Sequence, residues 1–180
     1  MARDAGPTAA RVLVKARPMT GIDIVDVHAG TGVVALQGAA DQADLLVTVR
    51  LSHDVDTATD TIPRAQIDAA IAAASLEANT RGSWLYLEVA YPPGADPTYV
   101  REQWTVSLPP GVDAEVEMAA GRLFARDVDG RLDLHLGVGT IQATTRGPGL
   151  DARVSYGDAR INAFSASPGR LSASTGTGSA

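Results

Sequence analysis

The sequence predicts an all-β protein: a single-stranded parallel β-solenoid with β-helix-like repeats of about 18–21 residues, covered by one short α-helix at about 63–74. Three observations carry this. Alternating apolar runs recur at a near-constant spacing, a glycine closes each run, and only one stretch has helical periodicity. The 180 residues suit one domain, 1–180, with a real core, and 45% hydrophobic residues with a net charge of −6 exclude a disordered chain. Aromatics make up only 4%, so the core must be thin and filled by small or branched aliphatics.

The repeat is clearest over 114–180. With Ala114, Leu132, Leu150 and Leu171 as position zero, apolar or small residues recur at offsets 0, 2, 4 and 6, and Gly121, Gly139, Gly157 and Gly178 follow at offset 7. Beyond the glycine the apolar positions move to odd offsets, as in Leu123 and Ala125, or Ile141 and Ala143. Such a change of parity needs an extra residue or a sharp turn, and glycine tolerates the positive φ or bulge this requires. A fifth copy lies upstream: Val25, Val27, Ala29, Thr31, then Gly32, then Val34 and Leu36. Linkers rich in Gly, Pro, Asp and Ser separate the copies, as turns should. Hairpins packed as an antiparallel β-sandwich produce the same alternation and are the alternative; the constant repeat length favours the solenoid.

The remaining elements follow in order. Strands are expected within 10–60, including DLLVTVRLS at 44–52, and again at 83–108 in SWLYLEVAY and QWTVSL. Between them, 62–76 reads as the one helix, with Asp60 or Thr61 as N-cap, Pro63 in the first turn and a stripe at Ile67, Ala70, Ile71 and Ala74. It is short and mostly Ala, a covering element for the sheets. No stretch is long and apolar enough to span a bilayer.

The pieces Val106-Ser107-Leu108-Pro109, Gly111, Ala120-Gly121, Gly139-Thr140-Ile141 and Tyr156-Gly157-Asp158-Ala159 resemble the bacterial putative adhesin family, a domain of unknown function related to the auto-transporter adhesin head domain. The likeness is good over 104–180 and looser over 22–51. The resemblance implies a β-solenoid in a bacterial envelope or surface protein, with no established catalytic activity and no agreed binding residues. The opening residues carry Arg3, Asp4, Arg11 and Lys15 where a signal peptide would need an apolar run, so the sequence itself predicts no export signal and leaves a cytoplasmic location open.

Chemistry-bearing motifs are few. Absence of cysteine excludes disulfides and thiolate sites, and His28, His53 and His135 are too scattered for a zinc or triad signature. No enzymatic motif is found, so the chain is read as a non-enzyme without a cofactor. One pattern stands out among outward offsets. Offset 1 carries Asp26, Glu115, Asp133 and Asp151, and offset 3 carries His28, Glu117, His135 and Arg153. Stacked in register at about 4.8 Å, these make a carboxylate column flanked by imidazoles, which a divalent cation could occupy; solvated surface residues are the plainer account. Asp127-Val128-Asp129-Gly130 resembles a calcium-loop opening but lacks the further ligands, so a turn is expected. Trp84 and Trp104 are expected in packing rather than as sugar-stacking platforms.

The 15 basic residues, 14 of them Arg, are dispersed along the chain, which disfavours nucleic acid. The function expected is therefore an adhesin-like binding or structural module contacting a protein or glycan. A scaffold that self-associates through residues 171–180 is the alternative, and a polysaccharide-acting β-helix enzyme ranks last.

Overall fold

The computed structural model describes residues 10–53, 63–163 and 171–177. The protein is all-β with one helix. Its strands are β1 (Ala10–Pro18), β2 (Ile24–Gly38), β3 (Asp44–His53), β4 (Ser75–Arg81), β5 (Trp84–Ala90), β6 (Val100–Leu108), β7 (Asp113–Val128), β8 (Leu132–Thr145), β9 (Leu150–Ala163) and β10 (Leu171–Thr177). Helix α1 (Arg64–Ala73) lies between β3 and β4, and a 3-10 turn at Pro97–Tyr99 precedes β6. No helix among the described residues is long and apolar enough to cross a membrane.

All ten strands join one mixed sheet in the order β1-β3-β6-β2-β7-β8-β9-β10, with β5 also on β2 and β4 on β5. Strand β2 organises it. Its first half, from Ile24 to His28, lies parallel to β5, its second half, from Thr31 to Gly38, lies parallel to β6, and both halves lie parallel to β7. The pairs Val25↔Ala114, Ala114↔Leu132, Leu132↔Leu150 and Leu150↔Leu171 fix the register of the repeated strands. The antiparallel pairs are β1 with β3, β3 with β6 and β4 with β5.

Alternation decides which side chains meet inside. Val27, Val116, Leu134 and Ala152 form one buried row across β2, β7, β8 and β9, and Val34, Leu123, Ile141 and Ala159 form another beyond the glycine. Gly32, Gly121, Gly139 and Gly157 stand in register between these rows with φ from 130° to 147°. A Cβ on Gly139 would lie 1.9 Å from the Gly121 carbonyl oxygen, so both the dihedral and the close approach of the strands demand glycine. Gly178 lies outside the described residues.

One expectation needs correction. Offset 6 does not point inward: Val138 is 53% exposed and Tyr156 60% exposed, while Thr31 and Ala120 are half-buried. The chain begins to turn before the glycine, so the core-facing series ends at offset 4 and resumes at offset 9.

Helix α1 is shorter than the 62–76 expected. Pro63 is the N-cap residue, with no side-chain cap, and Asp60 and Thr61 lie outside the described residues. Ile67, Ala70 and Ile71 are buried, and the buried His53 on β3 meets Asp68 on the helix at 2.7 Å. Residues 75 and 76 belong to β4, a strand whose polar sequence SLEANTR gives little apolar alternation. Strand β1 straps these pieces together. Arg11 donates to the carbonyls of Ile71 and Ala72, Lys15 to Leu76 at 3.1 Å and Arg17 to Ala78 at 3.0 Å. Two of those acceptors belong to the last turn of the helix, where the helix dipole favours a cation.

Candidate binding face

Because inward residues occupy even offsets before the corner, the odd offsets face outward, except that Asp26, expected in the exposed column, is buried at 7% exposure. The register places Asp26, Glu115, Asp133 and Asp151 side by side, with Ser172 next on β10, and His28, Glu117, His135 and Arg153 in the adjoining row. On the other side of β2, Tyr86 and Glu88 continue the two rows.

The rows are knitted within each strand. His28 Nε2 is 3.1 Å from Asp26 Oδ2, His135 Nε2 is 2.8 Å from Asp133 Oδ1, and Arg153 Nη2 is 2.7 Å from Asp151 Oδ2. Strand β7 breaks the pattern, because Glu115 and Glu117 place two acids where the others pair an acid with a base. His28 Nδ1 reaches across to Glu117 Oε2 at 3.5 Å. Burial pushes the Glu115 carboxyl above its ordinary value, the flanking Asp26 and Asp133 push the same way, and His135 and His28 oppose it.

Among the described residues no three His, Asp or Glu side chains form a group that could hold a metal ion. Residues two apart on one face pair with each other, so the imidazoles engage the carboxylates that a cation would need. Asp26 Oδ1 is buried with no hydrogen-bond partner among the described residues.

Beside the His28–Arg153 row, Ala119, Gly137 and Ser155 at offset 5 leave a groove of about 520 Å³, walled by His28, Glu117, His135 and Arg153. The small residues at offset 5 are visible in the sequence, but their meaning depends on where the corner falls. Trp84 and Tyr86 stack at 6.0 Å between ring centroids, with the Arg81 guanidinium 5.6 Å from the Tyr86 centroid. Trp104, by contrast, is fully buried. The Asp127–Gly130 segment is the end of β7 followed by a bend at Gly130, with Asp127 at φ 54° and paired to Arg146 at 3.1 Å.

A buried carboxylate was not anticipated. Glu102 is 5% exposed and accepts from the Gly30 amide at 3.1 Å, the Tyr91 hydroxyl at 2.8 Å and the Trp104 indole at 2.8 Å. Burial, reinforced by the neighbouring Glu102 charge and hydrogen bond, raises the Tyr91 hydroxyl far above its ordinary value. The inward parity of Trp104, Val106 and Leu108, extended one step back, is the signal that points to Glu102.

Beyond the corner, the outward face is basic. Arg50 on β3, Arg101 on β6, Arg122 and Arg126 on β7, and Arg160 on β9 are all exposed. Pairing brings these scattered arginines onto one side of the sheet around Phe124. Dispersal along the chain hid the cluster.

No protein-family model matches the chain, and no curated protein matches it either. Solved structures do. The chain is similar in fold to a putative cell adhesion protein from Clostridium sporogenes ATCC 15579, with a TM-score of 0.58 and 12% identity over 94% of this chain and 97% of that one. Putative adhesins from Bacteroides fragilis NCTC 9343 and Parabacteroides merdae ATCC 43184 align over 94% of this chain, and over 95% and 96% of theirs. Their identities are 12% and 6%, and their TM-scores of 0.28 and 0.29 carry no argument. At these identities the likeness establishes the fold alone.

Proposed function

We propose that the chain is a non-catalytic, adhesin-like surface module that contacts a protein or glycan through its outward sheet face. The observation that carries this is the likeness in fold, over nearly the whole of both chains, to a putative cell adhesion protein. The groove beside His135 and Arg153 suits the role, since it is open, polar and built on strands rather than on loops.

The architecture underlying this face is read as a β-solenoid. Strand β7 has 16 residues, which would stretch about 50 Å if straight. Residues 129–131 span at most about 14 Å, yet they lead to Leu132, which pairs with Ala114 at the start of β7. A strand that must return to its own beginning bends into a coil, and β8 repeats the step.

The test uses the full chain on fluorescent beads, screened against arrayed glycans and immobilised matrix proteins. Retention on one of these surfaces, lost when Ser155→Trp fills the groove in a variant that melts with the wild type, is the expected result. Failure of folded chain to bind any surface overturns the reading.

A second reading, self-assembly, has its own observation. Strand β10 pairs only with β9 and ends the strand order, so its outer edge is unpaired among the described residues. Deleting residues 171–180 should abolish a concentration-dependent rise in mass; an intact dimer after deletion sinks that version. Residues 178–180 lie outside the described residues.

A further inference from the structure

We propose that the arginine face beyond the glycine corner binds an acidic polysaccharide, with Arg50, Arg122, Arg126 and Arg160 holding its anionic groups and Phe124 packing against a sugar ring. This rests on the surface-binding reading above and assigns it a ligand class and a second site.

Register gives the layout. Arg50 pairs with Gln103, Gln103 with Val33, Val33 with Arg122, Arg122 with Thr140 and Thr140 with Asp158, so one row crosses six strands. The next row carries Thr105, Ala35, Phe124, Gln142 and Arg160. At about 4.8 Å per strand, the arginines from β3 to β9 span about 24 Å, room for several sugar units running across the strands.

Three features select the ligand. First, no ion pair joins Arg50, Arg101, Arg122, Arg126 or Arg160 to another described residue. Guanidinium groups are suited to bidentate contact with carboxylate, sulfate or phosphate. Secondly, two shallow grooves flank the half-buried Phe124. One, of about 340 Å³, is lined with Gln142, Thr144 and Arg160, and the other, of about 290 Å³, with Gln37, Thr105 and Arg126. Amide and hydroxyl groups beside an aromatic ring match a polyhydroxylated chain.

Thirdly, the competing polyanions fit less well. Phe124 is the one aromatic ring in the Arg122 and Arg160 rows among the described residues, whereas single-stranded nucleic acid binding uses a series of stacking rings. The acidic face of a second copy has its Asp26, Asp133 and Asp151 carboxylates already paired.

Binding of the full chain to polygalacturonate and heparin is measured against neutral dextran and single-stranded DNA, across a salt series. Expected are binding to the acidic polysaccharides that weakens steeply with salt, and no binding to dextran. Arg122→Gln/Arg160→Gln should weaken binding about tenfold or more, for the loss of two charge-assisted contacts. Arg50→Gln/Arg126→Gln gives the same reading if the first variant misfolds, and Arg146→Gln, in the β8–β9 connection and already paired to Asp127, should bind as wild type. Phe124→Ser should weaken polysaccharide binding more than DNA binding. The proposal is overturned if neither polysaccharide binds at low salt, or if DNA binds more tightly and Phe124→Ser changes nothing. It is also overturned if sedimentation shows a dimer through this face that polysaccharide does not displace. Retention on arrayed glycans or proteins without binding to either polyanion would remove this site and leave the adhesin-like function standing.

Discussion

The Trp104 indole nitrogen donates to Glu102 Oε2 at 2.8 Å, two residues along the same strand and both inside the protein. The Gly30 amide donates to the same oxygen and the Tyr91 hydroxyl to the other, so three donors converge on one buried carboxylate. Glu102→Ala should destabilise the protein by about 1–3 kcal/mol for each donor left unsatisfied. Tyr91→Phe, which removes a donor and leaves the other two bonds, should cost about 1 kcal/mol. Urea denaturation of both variants checks the order; equal losses would mean that the three bonds do not act on a shared acceptor.

The corner can be tested at one atom. Gly139→Ala places a methyl group against the Gly121 carbonyl at a φ of 138°. Strain at such a backbone position costs about 1–3 kcal/mol before the clash between strands is added. A urea midpoint equal to wild type would show that the chain turns elsewhere.

Leu136 and Tyr156 separate buried offset 4 from exposed offset 6. Leu136→Ala should cost about 2–5 kcal/mol, because Leu136 is 2% exposed. Tyr156→Ser should cost within about 0.5 kcal/mol, since the ring is 60% exposed. Thermal melts in which Tyr156→Ser lost as much as Leu136→Ala would restore offset 6 to the core.

Glu115 sets a pH dependence with a definite sign. Its folded-state affinity for a proton is raised, by burial first and then by Asp26 and Asp133. Between the ordinary carboxylate range and the raised value the folded state holds more proton than the unfolded state, so stability falls as pH rises through that window. Glu115→Gln should remove this loss. The urea midpoint of the variant should exceed that of the wild type at pH 7 and converge on it at acid pH; a lower midpoint at pH 7 would reverse the assignment.

Much of this was legible in the sequence because strand parity is a local code. The rows of Asp26, Glu115, Asp133 and Asp151 follow from counting by twos from the repeat origin, and the pairing confirms their register. Offset 6 was misplaced because Val138 and Tyr156 have core-like side chains at positions where only the corner's path decides exposure. Strand β4 was missed because its edge role lets Glu77, Asn79 and Thr80 stand where apolar residues would be expected. The arginine face was invisible for a different reason. Arg50 and Arg122 are far apart along the chain, and only the order β3-β6-β2-β7 brings them to one row.

The pairing of β7 with β8 matches that of β8 with β9 from Ala114↔Leu132 and Leu132↔Leu150 through the glycine to Ala125↔Ala143 and Ala143↔Ile161, beyond which the β7–β8 register slips by one residue at Val128↔Thr145. Length is therefore quantised. Inserting or removing one 18-residue unit would move the far edge by a single strand spacing, about 4.8 Å, while every row kept its chemistry. Reach across a target can be tuned by copying a unit, with no new side chain to invent.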